Sequence, residues 1–170
     1  MPPDPVEIGP RRDLLALVRA HPGMHLRELE RASGLALGAL RHHLDYLLAA
    51  GLVKDEEDGR LRRVYPAGLD PPLRKALAAL RPRAHRAVVL HLLNHPGGTT
   101  RDVAAALAFP ETTAGHYLRA LASAGIVVRE RAGHRLADPE AVVRALVAYR
   151  PSFADRLVDA ALEIWFETGD

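Results

Sequence analysis

Cysteine is missing from the 170 residues, which excludes disulfides, thiolate metal sites and thiol redox chemistry. Long apolar runs are missing too. Hydrophobic residues make up 48% of the chain, enough for a core, yet no stretch approaches the ~18 to 20 consecutive apolar residues a membrane-spanning helix needs. The opening residues, MPPDPVEIGPRRD, hold no hydrophobic signal segment, so a cytoplasmic location without membrane attachment is expected. Lysine is scarce: of the 23 basic residues, all but Lys54 and Lys75 are arginine. No glycine-rich phosphate loop precedes a helix, and Gly97-Gly98 reads as a turn between helices. Ser33, Ser123 and Ser152 lie in no nucleophile elbow. The nine histidines include the adjacent pair His42-His43. On a helix such neighbours point about 100° apart and cannot readily share an ion. The expectation is a protein with no catalytic residues, no metal, no cofactor and no enzymatic activity.

What the chain does contain is a repeat. A shift of 74 positions lays His21-Pro22-Gly23 on His95-Pro96-Gly97. With no gap it then lays Arg27 on Arg101, His42 on His116, Leu44 on Leu118, Leu47 on Leu121, Ala50-Gly51 on Ala124-Gly125 and Val53 on Val127. Upstream, Arg12 falls on Arg86. Such internal similarity fixes the architecture before anything else does. It implies two copies of one small domain.

Residues 1–10 are proline-rich and expected to be disordered or loosely packed. In the first copy, residues 11–21 read as a helix with Leu14, Leu15 and Val18 inward, stopped by Pro22-Gly23. A short second helix follows over 25–33, with Leu26 and Leu29 on its core side, and Gly34-Leu35 makes the turn. In the third helix, 36–50, Leu40, Leu44 and Leu47 fall at i, i+4 and i+7 on one stripe, with Gly38, Arg41, His42 and Asp45 opposite. Gly51 ends it, and strands over 52–55 and 60–65 flank a turn at 56–59 signalled by Asp58-Gly59. Residues 66–72, PAGLDPP, break regular structure, and 73–80 form a connecting helix.

The second copy follows the same order. Residues 82–94 form its first helix, with Val88, Val89, Leu92 and Leu93 apolar. Thr99-Thr100-Arg101-Asp102 has capping-box spacing, with Asp in the place of Glu. Pro110 opens a third helix running to 124, and strands over 126–131 and 134–137 make a shorter hairpin around Ala132-Gly133. Two further helices, 139–149 and 151–166, have no counterpart in the first copy. Their apolar residues, including Val142, Leu146, Phe153, Leu157, Ile164 and Trp165, are expected to pack on the second domain or to join two subunits as a homodimer.

A helix with a polar outer face that ends in glycine and runs into a hairpin is the pattern of a winged helix-turn-helix. The expected fold is therefore mainly α with small β-hairpin wings (α+β). It comprises one such domain at 11–66, a basic linker and connecting helix at 67–81, a second domain at 82–138 and C-terminal helices at 139–170. In this architecture the third helix lies in the major groove, so the expected partner is double-stranded DNA. The reading positions are Gly38, Ala39, Arg41, His42 and Asp45 in the first copy. In the second they are Glu111, Thr112, Thr113, Gly115, His116 and Arg119. Arg41 suits a bidentate contact to guanine, and His42 and His116 can donate to a base edge or a phosphate. Phosphate or minor-groove contacts fall to the wing residues Arg60, Arg62 and Arg63, then Arg129, Arg131 and Arg135.

Charge is unevenly spread behind the formal net +2. Residues 71–86 hold Arg74, Lys75, Arg81, Arg83 and Arg86 with no acid, whereas 151–170 set Asp155, Asp159, Glu163, Glu167 and Asp170 against Arg156 alone. A basic body with an acidic terminal helix suits DNA binding by the body and another task for the tail. Leu37, Gly38 and Ala39 offer no side-chain hydrogen bonds, and Glu111 repels phosphate. Base readout is thus expected to be sparse, with affinity drawn from the wings and the arginine-rich connector.

The stretch LRELERASGLALGALRHHLDYLLAAGLV resembles winged helix-turn-helix regulators of the ArsR and MarR type, particularly archaeal members with two tandem domains. The likeness rests on LRELERASGL in the second helix, on His43-Leu44, and on LLAAGLV before a charged wing. The second copy, TRDVAAALAFPETTAGHYLRALASAGIVV, has Tyr117 in the place of His43. The resemblance spans roughly 12–137 in two pieces and implies sequence-specific operator binding, usually as a dimer. The chain lacks the cysteines of metal-sensing ArsR proteins and the usual Ser or Thr at Ala36 and Ala39. Two alternatives stay open: a tandem winged-helix protein-interaction module, and a sequence-neutral, chromatin-type DNA binder. No effector ligand is indicated.

Overall fold

The computed structural model describes residues 9–153 and 155–168. The expectation for residues 1–10 therefore lies mostly outside the described residues; Gly9 and Pro10 open the first helix. The chain separates into two compact units, Met1–Asp70 and Pro71–Asp170.

In the first unit, α1 (Gly9–Ala20), α2 (Leu26–Ser33) and α3 (Leu37–Ala49) pack together beside a three-stranded antiparallel sheet. Leu40, Leu44 and Leu47 of α3 are buried, as their spacing requires. They meet Leu14, Leu15 and Val18 of α1 and Leu29 of α2 in one core. The sheet order is β1–β3–β2, with β1 Met24–His25, β2 Val53–Asp58 and β3 Leu61–Pro66. The short β1 pairs with β3 through Met24 and Val64 and was not expected from sequence. Strand β2 is also longer than expected. The acidic run read as a turn continues the strand, because Glu56 faces Arg63 and Glu57 faces Arg62 across the ladder. Opposite charges on facing positions stabilise a sheet, and the turn shrinks to Gly59-Arg60. Between α3 and β2, Gly51 takes φ +68°, a left-handed conformation that suits glycine.

The second unit repeats these helices with the same offset. Its α5 (Arg83–Asn94), α6 (Thr100–Leu107) and α7 (Glu111–Ser123) have the lengths of α1, α2 and α3, each displaced by 74 residues. Entry and exit geometry match too. Ala36 and Pro110 precede the third helices at φ/ψ −61°/145° and −56°/143°, and Ala50 and Ala124 follow them at −77°/−4° and −76°/−4°. The two-stranded sheet of β4 (Val127–Arg129) and β5 (His134–Leu136) is shorter than its counterpart. Gly97 donates its N–H to His134 O at 2.8 Å, as Gly23 does to Val64 O at 2.8 Å.

Among the described residues, three further α-helices and a 3-10 turn belong to the second unit alone. Helix α4 (Pro71–Leu80), expected as a connector, packs against α5 and α8 (Pro139–Ala148), with Leu77 and Leu80 fully buried. The terminal segment is not one helix. Pro151 sits in a 3-10 turn, Arg150–Phe153, and α9 spans Arg156–Thr168. Helix α9 packs on α5 through Val158, Ala161 and Leu162. Of the two roles expected for its apolar residues, Leu157 and Ile164 do not pack on the second domain: both are exposed. Polar bonds fix this docking: Asn94 Nδ2 donates to Ala161 O at 3.2 Å, Arg81 Nη1 to Ser152 Oγ at 2.7 Å, and Arg86 Nη2 to Asp155 at 3.3 Å. Part of the arginine-rich connector is thereby committed to holding the tail.

Candidate nucleic-acid interface

Each third helix is presented by the short helix before it, and each short helix is held by a capping box. In the second unit Thr99 Oγ1 accepts from Asp102 N at 3.2 Å, while Asp102 Oδ2 accepts from Thr99 N at 2.8 Å. The threonine hydroxyl also donates to that carboxylate at 2.7 Å, and these bonds hold the Asp102 pKa below the usual carboxylate range. This is the box the spacing predicts. The first unit has an equivalent that sequence reasoning missed, because histidine is an unusual cap. Nδ1 of His25 accepts from Glu28 N at 3.4 Å, and Glu28 Oε2 accepts from His25 N at 2.9 Å.

On α3, Gly38, Ala39, Arg41, His42 and Asp45 are all exposed along one side. His42 stands edge-on to His43 and Tyr46, at 5.6 and 5.1 Å between ring centroids. The buried Arg11 guanidinium of α1 lies 3.6 Å from the centre of the Tyr46 ring. Loss of water, then the Arg11 and His42 charges, lower the His43 pKa below the ordinary histidine value. On α7, Glu111, Thr112, His116 and Arg119 are exposed, while Thr113 and Gly115 are half-buried. Tyr117 is enclosed edge-on by His85 at 5.5 Å and Phe109 at 5.6 Å.

Beside each third helix its hairpin makes one wall of an open groove. In the first unit the groove is about 300 Å³ and includes Arg41, Asp45, Asp55 and Arg62. In the second it is about 590 Å³ and includes Gly115, Arg119, Arg129 and His134. The greater volume follows from Gly115 and Ala122 standing where the first unit has Arg41 and Leu48.

The wing arginines divide sharply. Arg60 is exposed at the hairpin tip. Arg62 is bonded to Asp55. Arg63, expected as a DNA contact, is instead 3% exposed. Its Nη1 donates to Gly23 O at 2.9 Å and its Nε to Asp58 at 2.6 Å, so its charge is spent inside the fold. In the second hairpin Arg129 and Arg131 are exposed, and Arg135 is bonded to Glu130 and to Leu136 O. Among the described residues no three His, Asp or Glu side chains are grouped to hold a metal ion. No described helix is long and apolar enough to cross a membrane.

Three packed helices with the third exposed beside a hairpin define a helix-turn-helix domain, and the comparisons agree for the first unit. Residues 9–77 match the family HTH_HVO_0163_N, described as an N-terminal HTH domain. The chain is also 30% identical over 127 residues, 74% of its length, to an uncharacterised HTH-type transcriptional regulator of Methanocaldococcus jannaschii. The match covers 32% of that relative, so the chain spans about a third of its length.

Proposed function

We propose that the chain is a DNA-binding transcriptional regulator, and not an enzyme, built on two tandem winged helix-turn-helix domains of the ArsR and MarR type. The third helices α3 and α7 enter the major groove, and the exposed wing arginines lie along phosphates or the minor groove. The observation that carries this reading is an exposed third helix beside a hairpin, present twice at one constant offset. Further support comes from the family match over 9–77 and from the relative named as a transcriptional regulator. Arg63 is not among these contacts, because Gly23 O and Asp58 hold its guanidinium inside the fold. The C-terminal helices serve as a homodimer surface, for which Val147, Leu157, Ile164 and Phe166 supply exposed apolar area. A dimer would read half-sites about 34–36 Å apart, or a multiple of that.

The scarcity of hydrogen-bonding side chains at Leu37, Gly38 and Ala39 favours a second reading, a sequence-neutral DNA binder. Selection from a random duplex pool, followed by a salt titration, separates the two. An enriched two-part motif supports the regulator. Retention without a motif, lost steeply as salt rises, supports the neutral binder. No retention overturns both and leaves a protein-interaction module.

A further inference from the structure

The two grooves occupy equivalent places, and at two equivalent positions their charges are opposite, although the first also holds Arg41 and Arg62 and the second Glu111. Under the 74-residue offset Asp45 falls on Arg119 and Asp55 on Arg129, and all four residues line their respective grooves. In the first unit Arg62 is consumed by its bond to Asp55, so that wall presents no free cation to a phosphate. In the second unit Arg119 and Arg129 are exposed, and among the described residues neither has an ion-pair partner. Gly115 stands where the first unit has Arg41. A Cβ placed on it would lie 3.5 Å from Arg119 Nη1, so a long side chain there would compete for the space the Arg119 guanidinium fills.

We infer that the phosphate grip of this protein is concentrated in the groove between α7 and the second hairpin, with Arg119 and Arg129 as its principal cations. The unit that carries the family match contributes little to it. This inference rests on the proposed DNA-binding reading and says which of the two domains supplies the affinity. A cation on each wall of a groove can meet the backbone of a strand running between them, whereas at the same two places the first groove has Asp45, which repels it, and Asp55, whose charge is paired with Arg62.

The test uses the full-length chain and a fluorescent duplex of mixed sequence, with affinity measured across a potassium chloride series. Arg119→Ala and Arg129→Ala should each lower affinity roughly fivefold at physiological salt and reduce the slope of log K against log salt by about 0.9. Arg41→Ala and Arg60→Ala should change that slope by less than half as much. Asp45→Arg should raise affinity and steepen the slope, a gain that cannot come from a failure to fold. Circular dichroism melts check that the four alanine variants remain folded. If the wild type binds with a steep slope while Arg119→Ala and Arg129→Ala leave it unchanged, the inference is overturned and the DNA-binding reading stands. The same follows if Arg41→Ala and Arg60→Ala flatten the slope equally. If the wild type retains no duplex at any salt, the DNA-binding reading fails and this inference with it.

Discussion

Arg63 Nη1 donates to the carbonyl oxygen of Gly23 across 2.9 Å, joining strand β3 to the turn that closes α1. The same guanidinium reaches Asp58 through Nε, so one side chain ties the sheet to a helix end and to the hairpin tip. Truncation would leave a buried carbonyl without its donor. Arg63→Ala should destabilise the first unit by about 2 kcal/mol or more. Arg63→Lys should recover only part, because an ammonium cannot span both acceptors as a planar fork does. Urea denaturation measures this, and an alanine variant as stable as wild type would refute the structural role.

The αL position after the second helix offers a matched pair of substitutions. Gly34 holds φ +69° there, and in the second unit Ala108 is forced to φ +54°. A left-handed residue with a Cβ is strained by about 1 kcal/mol. Ala108→Gly should therefore stabilise the second unit by about 0.5–1 kcal/mol, and Gly34→Ala should destabilise the first by a similar amount. A Cβ on Gly34 would meet nothing within 4 Å, so the backbone alone sets the sign. Equal melting temperatures for Ala108→Gly and wild type would sink the prediction.

Thr99→Ala removes one half of a capping box and should cost the second unit about 1 kcal/mol near neutral pH. The Thr99 side-chain and backbone hydrogen bonds hold the Asp102 pKa below its ordinary value. A depressed carboxyl pKa adds stability above the unfolded value of about 3.9 and loses it as pH falls through and below that range. The acid limb of the stability curve should thus be shallower in Thr99→Ala than in wild type. Parallel curves would mean the carboxylate bond is not formed.

His91 lies in α5, stacked on His95 at 4.7 Å. Burial, then the His95 charge, lower its pKa, opposed by Asp102. The folded state therefore disfavours the protonated ring. Stability is complete above the unfolded value of about 6.5 and declines as pH falls below it. His91→Gln should flatten the decline between about pH 7 and pH 5, leaving the part that His43 contributes by the same mechanism. Denaturation midpoints at several pH values test this; an unchanged slope in the variant would exclude His91 as a source.

Much of this arrangement is legible in the amino-acid sequence because the helices are periodic and the repeat is gapless. Leu40, Leu44 and Leu47 declare the buried stripe of α3, and with it the exposed residues opposite. Other features depend on partners distant in sequence. Whether Arg63 faces solvent is decided by a carbonyl forty residues earlier in the chain, not by its neighbours. The acids 56–58 resemble a turn until the facing arginines of β3 are in place. Helix α9 has apolar residues on several sides, so its sequence does not choose between Leu157 and Val158. Contact with α5 makes that choice, burying Val158 and leaving Leu157 outside. Strand β1, with two residues, is too short to carry any periodicity.

The matched angles at Ala36 and Pro110, and again at Ala50 and Ala124, have a practical meaning. Segments 37–49 and 111–123 are cassettes of one length with interchangeable ends. Exchanging them transplants Arg41 and Asp45, or Glu111 and Arg119, without designing a junction. Whatever preference each helix has for its ligand should then travel with the segment from one half of the chain to the other.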